Sequence, residues 1–213
     1  MDWNRAGLIA AFAVTLFAIA YAVVLFAGLA SLSAPSAPIE DPWFTLLEIL
    51  IVAMMPAIVM LIMALRASSP KGSELLGRWA VTFIIVTAVL TTIVHTALFV
   101  LRRAGVIDEN LRPVLLSFDW PSVPYILDII AWDLFFGLAM LCAAPLADGT
   151  RFASAIRVTM TISGLLALAG LAGPIAGDMR LRAIGILGYA GVFPITATLM
   201  ALHFRQRIKT SIP

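Results

Sequence analysis

The stretch Ala6-Gly-Leu-Ile-Ala-Ala-Phe-Ala-Val-Thr-Leu-Phe-Ala-Ile-Ala-Tyr-Ala-Val-Val-Leu-Phe-Ala-Gly-Leu-Ala30 contains no acid, base or histidine, and none follows it until Glu40. A helix rises ~1.5 Å per residue, so about 20 such residues cross the ~30 Å hydrocarbon core of a bilayer. The run therefore reads as a membrane span. It ends in Ser31-Leu-Ser-Ala-Pro-Ser-Ala-Pro38 like a cleavable leader, but the apolar part of a leader covers only ~7–15 residues, so the span is expected to be retained.

Four further runs repeat the pattern. Ile49 to Leu65, Trp79 to Leu101, Val158 to Gly177 and Ala183 to Phe204 hold no acid or base other than histidine. A sixth, Tyr125 to Leu146, is interrupted by Asp128 and Asp133. An open sheet edge cannot face lipid, and the two-residue alternation of a closed barrel is absent. The sequence thus predicts an all-α polytopic bundle of six transmembrane helices, a single domain over residues 1–213. The expected spans are Arg5 to Leu32, Trp43 to Arg66, Leu76 to Leu101, Pro124 to Leu146, Thr150 to Gly173 and Arg180 to His203. Asp41-Pro42 marks the start of the second, Asp148-Gly149 turns the fourth into the fifth, and Pro56 and Pro194 should interrupt their helical ladders.

Composition agrees. Of 213 residues, 62% are hydrophobic and 12% charged, where soluble domains run near ~45–50% and ~25%. That excludes a water-soluble globule and a disordered chain. One cysteine excludes a disulfide scaffold, and a net charge of +2 without a dense basic patch excludes nucleic acid as a partner. The partner implied by every span is the lipid bilayer.

With a cytoplasmic N-terminus, Arg5, Arg66, Lys71, Arg78, Arg151, Arg157, Arg205, Arg207 and Lys209 lie inside, against Arg102, Arg103, Arg112, Arg180 and Arg182 outside. The positive-inside rule therefore favours both termini in the cytoplasm. Trp3 and Trp79 then fall at one interface, and Trp43 and Trp120 at the other.

An ionisable group inside a membrane helix is expensive, near +2.5–3.5 kcal/mol for aspartate on insertion scales, unless it is paired or wetted. Glu48, His95, Asp128 and Asp133 all fall in the same half of the membrane, because the second and fourth helices run opposite to the third. One reading is a polar pocket between helices two, three and four, beneath the connection Arg102 to Ser122 and facing outward. Three carboxylates there do not all stay ionised without partners, and His95 can share a proton. Such a pocket would bind a small polar or lipid-like ligand, carry a proton, or hold a divalent metal. The other reading is residue by residue. Asp128 and Glu48 would face interfacial water near their helix starts, His95 would donate to Thr91, and Asp133 is hardest to explain away. On an α-helix Asp128 and Asp133 are about 140° apart and should not share a partner. Trp132 lies four residues beyond Asp128, and is expected either to wall that carboxylate for a bound cation or simply to pack.

The glycines at 170 and 173 in helix five, and at 185, 188 and 191 in helix six, predict close approach of these two helices or a homo-oligomeric seam. No bis-histidine haem pair, CxxC, His-Glu-x-x-His, nucleophile elbow, phosphate loop or arginine-rich voltage sensor is present. No cofactor is implied beyond the divalent metal that Glu48, His95 and Asp133 could ligate. The leading expectation is a non-enzymatic binding or accessory protein for a small ligand or a membrane partner subunit. A proton- or cation-coupled transporter working through Asp133 comes second, and a metal-dependent intramembrane enzyme third.

Asp133-Leu-Phe-Phe-Gly-Leu138, followed by Pro145 and a fifth helix headed by arginine, resembles uncharacterised bacterial six-helix integral membrane proteins with an acidic-x-Phe-Phe-Gly-Leu fourth helix. The resemblance in length and helix order covers nearly the whole chain. It implies a multi-pass bundle of the bacterial inner membrane and transfers no site residue, although the acidic position is Asp133.

Overall fold

Apolar helices in lipid gain little from hiding apolar surface against one another, so their arrangement depends on close backbone packing and polar contacts. The computed structural model describes residues 2–34, 37–69 and 73–210. It contains six helices long and apolar enough to cross a membrane: Trp3–Ala30, Trp43–Ala67, Glu74–Ala104, Val123–Leu146, Ala153–Ala176 and Met179–Thr210. No strand occurs among the described residues. Each span packs on the spans before and after it, and the sixth closes on the first, giving a ring in chain order. Its interior is filled by Ile58, Leu61, Ile62, Phe136, Met140, Met160, Met200 and Phe204. Ile9, Phe12, Leu16, Ile19, Val23 and Phe26 of the first span are left exposed, as a lipid face requires.

Local chemistry sets the boundaries. The Asp2 carboxylate accepts the amides of Asn4 and Arg5, so the first helix begins at Trp3. The second begins at Trp43, as expected, and Asp41 accepts both the amide and the hydroxyl of Thr45. The hydroxyl bond, more than any other contact, holds the Asp41 carboxyl below its ordinary pKa. Gly149 takes a left-handed φ of 74° in the turn to the fifth span. That span starts at Ala153, three residues after the expected Thr150, because the Thr150 hydroxyl is engaged by the Phe152 amide and His203 Nδ1.

Two spans leave α geometry. Ile130–Phe136 in the fourth and Leu187–Val192 in the sixth are π-helical, and the second of these ends just before Pro194. Pro194 thus sits where the ladder has already changed register, whereas Pro56 lies inside an unbroken helix, contrary to expectation. Lys71 and the Pro35-Ser36 part of the leader-like tail lie outside the described residues.

The glycines of the fifth and sixth spans pack against each other. A Cβ on Gly185 would meet the Gly170 Cα at 3.1 Å, and one on Gly188 would meet the Ser163 carbonyl oxygen at 2.6 Å. Gly191 has nothing within 4 Å and takes no part.

Candidate functional site

Glu48 projects from the second span, His95 from the third and Asp128 from the fourth, and all three are buried. His95 Nδ1 donates to Glu48 Oε2 at 2.8 Å, while its Nε2 stands 3.7 Å from Asp128 Oδ1. The Thr91 hydroxyl, the alternative partner of His95, has no hydrogen bond among the described residues. Three helices therefore do deliver polar groups to one level.

A fourth helix joins them. Arg182, 3% exposed at the start of the sixth span, donates from Nη2 to Asp128 Oδ2 at 2.6 Å and from Nε to Asp133 Oδ2 at 3.2 Å. Its Nη2 also lies 3.4 Å from the Tyr189 hydroxyl, and its Cζ sits 4.3 Å above the Tyr125 ring. Taken together, Glu48, His95, Asp128, Arg182 and Asp133 form a connected buried line. With every acid ionised and His95 protonated, three negative charges face two positive ones. The line then carries one net negative charge, which a retained proton or a donor-bearing ligand would balance.

The expectation that Asp128 and Asp133 point apart is wrong, and the π segment is the reason. In a π-helix the bond runs from residue i to i+5, bringing residues five apart nearly onto one face. Asp128 precedes the widened turn and Asp133 lies within it, so both reach Arg182. Trp132 does not wall the Asp128 carboxylate for a cation. Its ring packs 5.2 Å from Tyr189 and 5.4 Å from Phe136, and Tyr125 supplies the aromatic face over the cation instead.

Asp133 is fully buried, and its Oδ1 has no hydrogen-bond partner among the described residues. That oxygen lies in a notch made by Gly170 and Gly185, where either residue's Cβ would collide with it. The small-residue stripe thus accommodates a carboxylate as well as a helix contact.

The cavity differs in position from the expected one. A space of about 810 Å³ is bounded by the first, second and third spans and roofed by the connection after residue 102. Its lining includes Tyr21, Glu48 and His95 low down, Leu25, Leu98 and Leu101 between, and Arg102 and Arg112 at the rim. The fourth span lines none of it. Asp128 and Asp133 stand behind His95, so only the Glu48–His95 end of the line meets the open space. The Glu48, His95 and Asp133 side chains do not converge, and no group of three metal-ligating side chains occurs among the described residues.

Arg182, Tyr125 and Tyr189 escaped the sequence reading. The basic-residue count places Arg182 on the outer side and assigns it no role, although it abuts the apolar run from Ala183 and three buried acids need a counter-charge. No protein family, curated protein or solved structure matches the chain. The fold and the buried line define its class, a six-span α-helical membrane protein with a charged interior.

Proposed function

We propose that this protein is a non-enzymatic integral membrane binding protein that holds a small polar or lipid-like ligand in the cavity beneath the 102–122 connection. One observation carries the reading: an apolar-walled space of about 810 Å³ ends on a buried Glu48–His95 pair. Small-molecule sites span ~300–1,000 Å³ and combine apolar walls with a few converging polar groups. The basic-residue asymmetry favours both termini in the cytoplasm, and the resemblance carried by the fourth helix implies the bacterial inner membrane as the setting.

The test is extraction of the purified protein in nanodiscs, with mass spectrometry of whatever is released. Wild type should carry a small molecule that a Leu98→Trp variant, its cavity filled, does not. Equal content in both would overturn the reading.

Coupled transport is the second reading, supported by the ionisable line running from the cavity floor to Asp133. Proteoliposomes under an imposed pH gradient should then take up the released molecule with wild type and fail with Asp133→Asn. No flux in either leaves binding without transport.

A further inference from the structure

The third span contributes His95, Leu98, Leu101 and Arg102 to the cavity lining. At ~1.5 Å per residue, His95 and Arg102 are separated by roughly 10 Å along the helix. The space is therefore polar at both ends and apolar between them. A simple lipid with one head would leave one of those ends unmatched.

The two ends ask for different chemistry. At the rim, Arg102 has no carboxylate within ion-pair distance among the described residues, and its guanidinium rests 4.2 Å over the Phe44 ring. Arg112, also exposed at the rim, donates Nε to the Ile107 carbonyl, and its terminal nitrogens make no hydrogen bond or ion pair among the described residues. Two guanidinium groups beside one opening match an oxyanion, whose paired oxygens fit their planar donors. Asp119 also lines the space, but accepts from the Ser117 hydroxyl at 2.7 Å.

At the floor the balance is reversed. Glu48 spends Oε2 on His95, and its other oxygen makes no hydrogen bond among the described residues. With Glu48 included, the buried line has three acids against two bases. Tyr21 lines the same floor. This end calls for a hydrogen-bond donor.

We infer that the cavity takes a two-headed amphiphile: a carboxylate or phosphate held by Arg102 and Arg112, an apolar middle of about 10 Å along Leu25, Leu98 and Leu101, and a hydroxyl or amine donating to Glu48. The inference rests on the cavity being a binding site and adds the class of ligand.

Three probes separate the two ends: 10-hydroxydecanoate, decanoate and 1-decanol, titrated calorimetrically into the full chain in nanodiscs and into protein-free nanodiscs. A hydrogen bond to a charged group is worth about one decade of affinity or somewhat more. The hydroxy acid should therefore bind about 10-fold tighter than decanoate, and decanoate about 10-fold tighter than decanol. Replacing both Arg102 and Arg112 by Gln should remove the preference for acids and leave decanol unchanged. Glu48→Gln should reduce the preference for the hydroxy acid, and Tyr21→Phe serves as a second floor variant should Glu48→Gln misfold. Equal affinity of acid and alcohol for wild type overturns the rim assignment. Equal affinity of decanoate and its hydroxy form overturns the floor assignment. If no probe binds above the protein-free background while a different molecule is released from wild type and not from Leu98→Trp, the class falls and the binding site stands. If none binds and nothing is released, both fall.

Discussion

Arg182 donates to two carboxylates from a position almost closed to solvent, so truncating it has an effect of predictable sign. Arg182→Met leaves Asp133 without a cation and Asp128 with only His95 3.7 Å away, and breaking a buried pair by removing one partner costs about 3–5 kcal/mol. Arg182→Lys keeps the charge but loses the planar fork that serves both acids at once, and should fall between the two. The decisive variant removes all the charge together. Because an uncompensated ion is worse than a neutral core, Arg182→Met combined with Asp128→Asn and Asp133→Asn should recover most of the loss. Unfolding in mixed micelles with rising dodecyl sulfate measures each variant. Arg182→Met as stable as wild type would show that the arginine is not holding the acids.

At the scale of the helix, Asp133 explains why glycines stand where they do. The Gly170 and Gly185 positions meet its carboxylate and each other, and Gly188 meets the Ser163 backbone, while Gly191 meets nothing. Forcing a methyl group into a packed contact costs about 1–3 kcal/mol, so Gly185→Ala and Gly188→Ala should destabilise by that amount. Gly191→Ala should stay within about 0.5 kcal/mol of wild type. The same unfolding assay compares them, and equal behaviour of Gly185→Ala and Gly191→Ala would sink the notch. These elements also show what the sequence could and could not disclose. The six apolar runs revealed the spans, since twenty uncharged residues have few other uses, and the depth of Glu48, His95 and Asp128 followed from helix direction alone. The partnership of Asp128 with Asp133 is hidden, because a period of 3.6 does not hold where the backbone widens to a π turn. Nor could the charge count place Arg182, which looks like any basic residue at a helix end until the sixth span is set beside the fourth.

For the whole molecule, a ring closed in chain order places the ends of spans one, three and five and the starts of two, four and six on one side. The cavity rim, the 102–122 connection and Arg182 belong to that side, and both chain ends to the other. An even number of spans makes this pairing independent of which side is cytoplasmic. The absolute direction depends on the excess of Lys and Arg on the side of the termini, nine against five. Loop charges act during insertion, before the bundle assembles, so pairing a base within the fold does not cancel its vote. Single cysteines at Asp108 and Gln206 in a Cys142→Ser background should therefore behave oppositely in intact bacterial cells. The cysteine at 108, on an exposed part of the connection, should react with a membrane-impermeant maleimide, while that at 206 should react only after permeabilisation. Labelling of 206 but not 108 in intact cells would invert the protein and move the cavity mouth to the cytoplasmic leaflet, with the ring and its buried line unchanged.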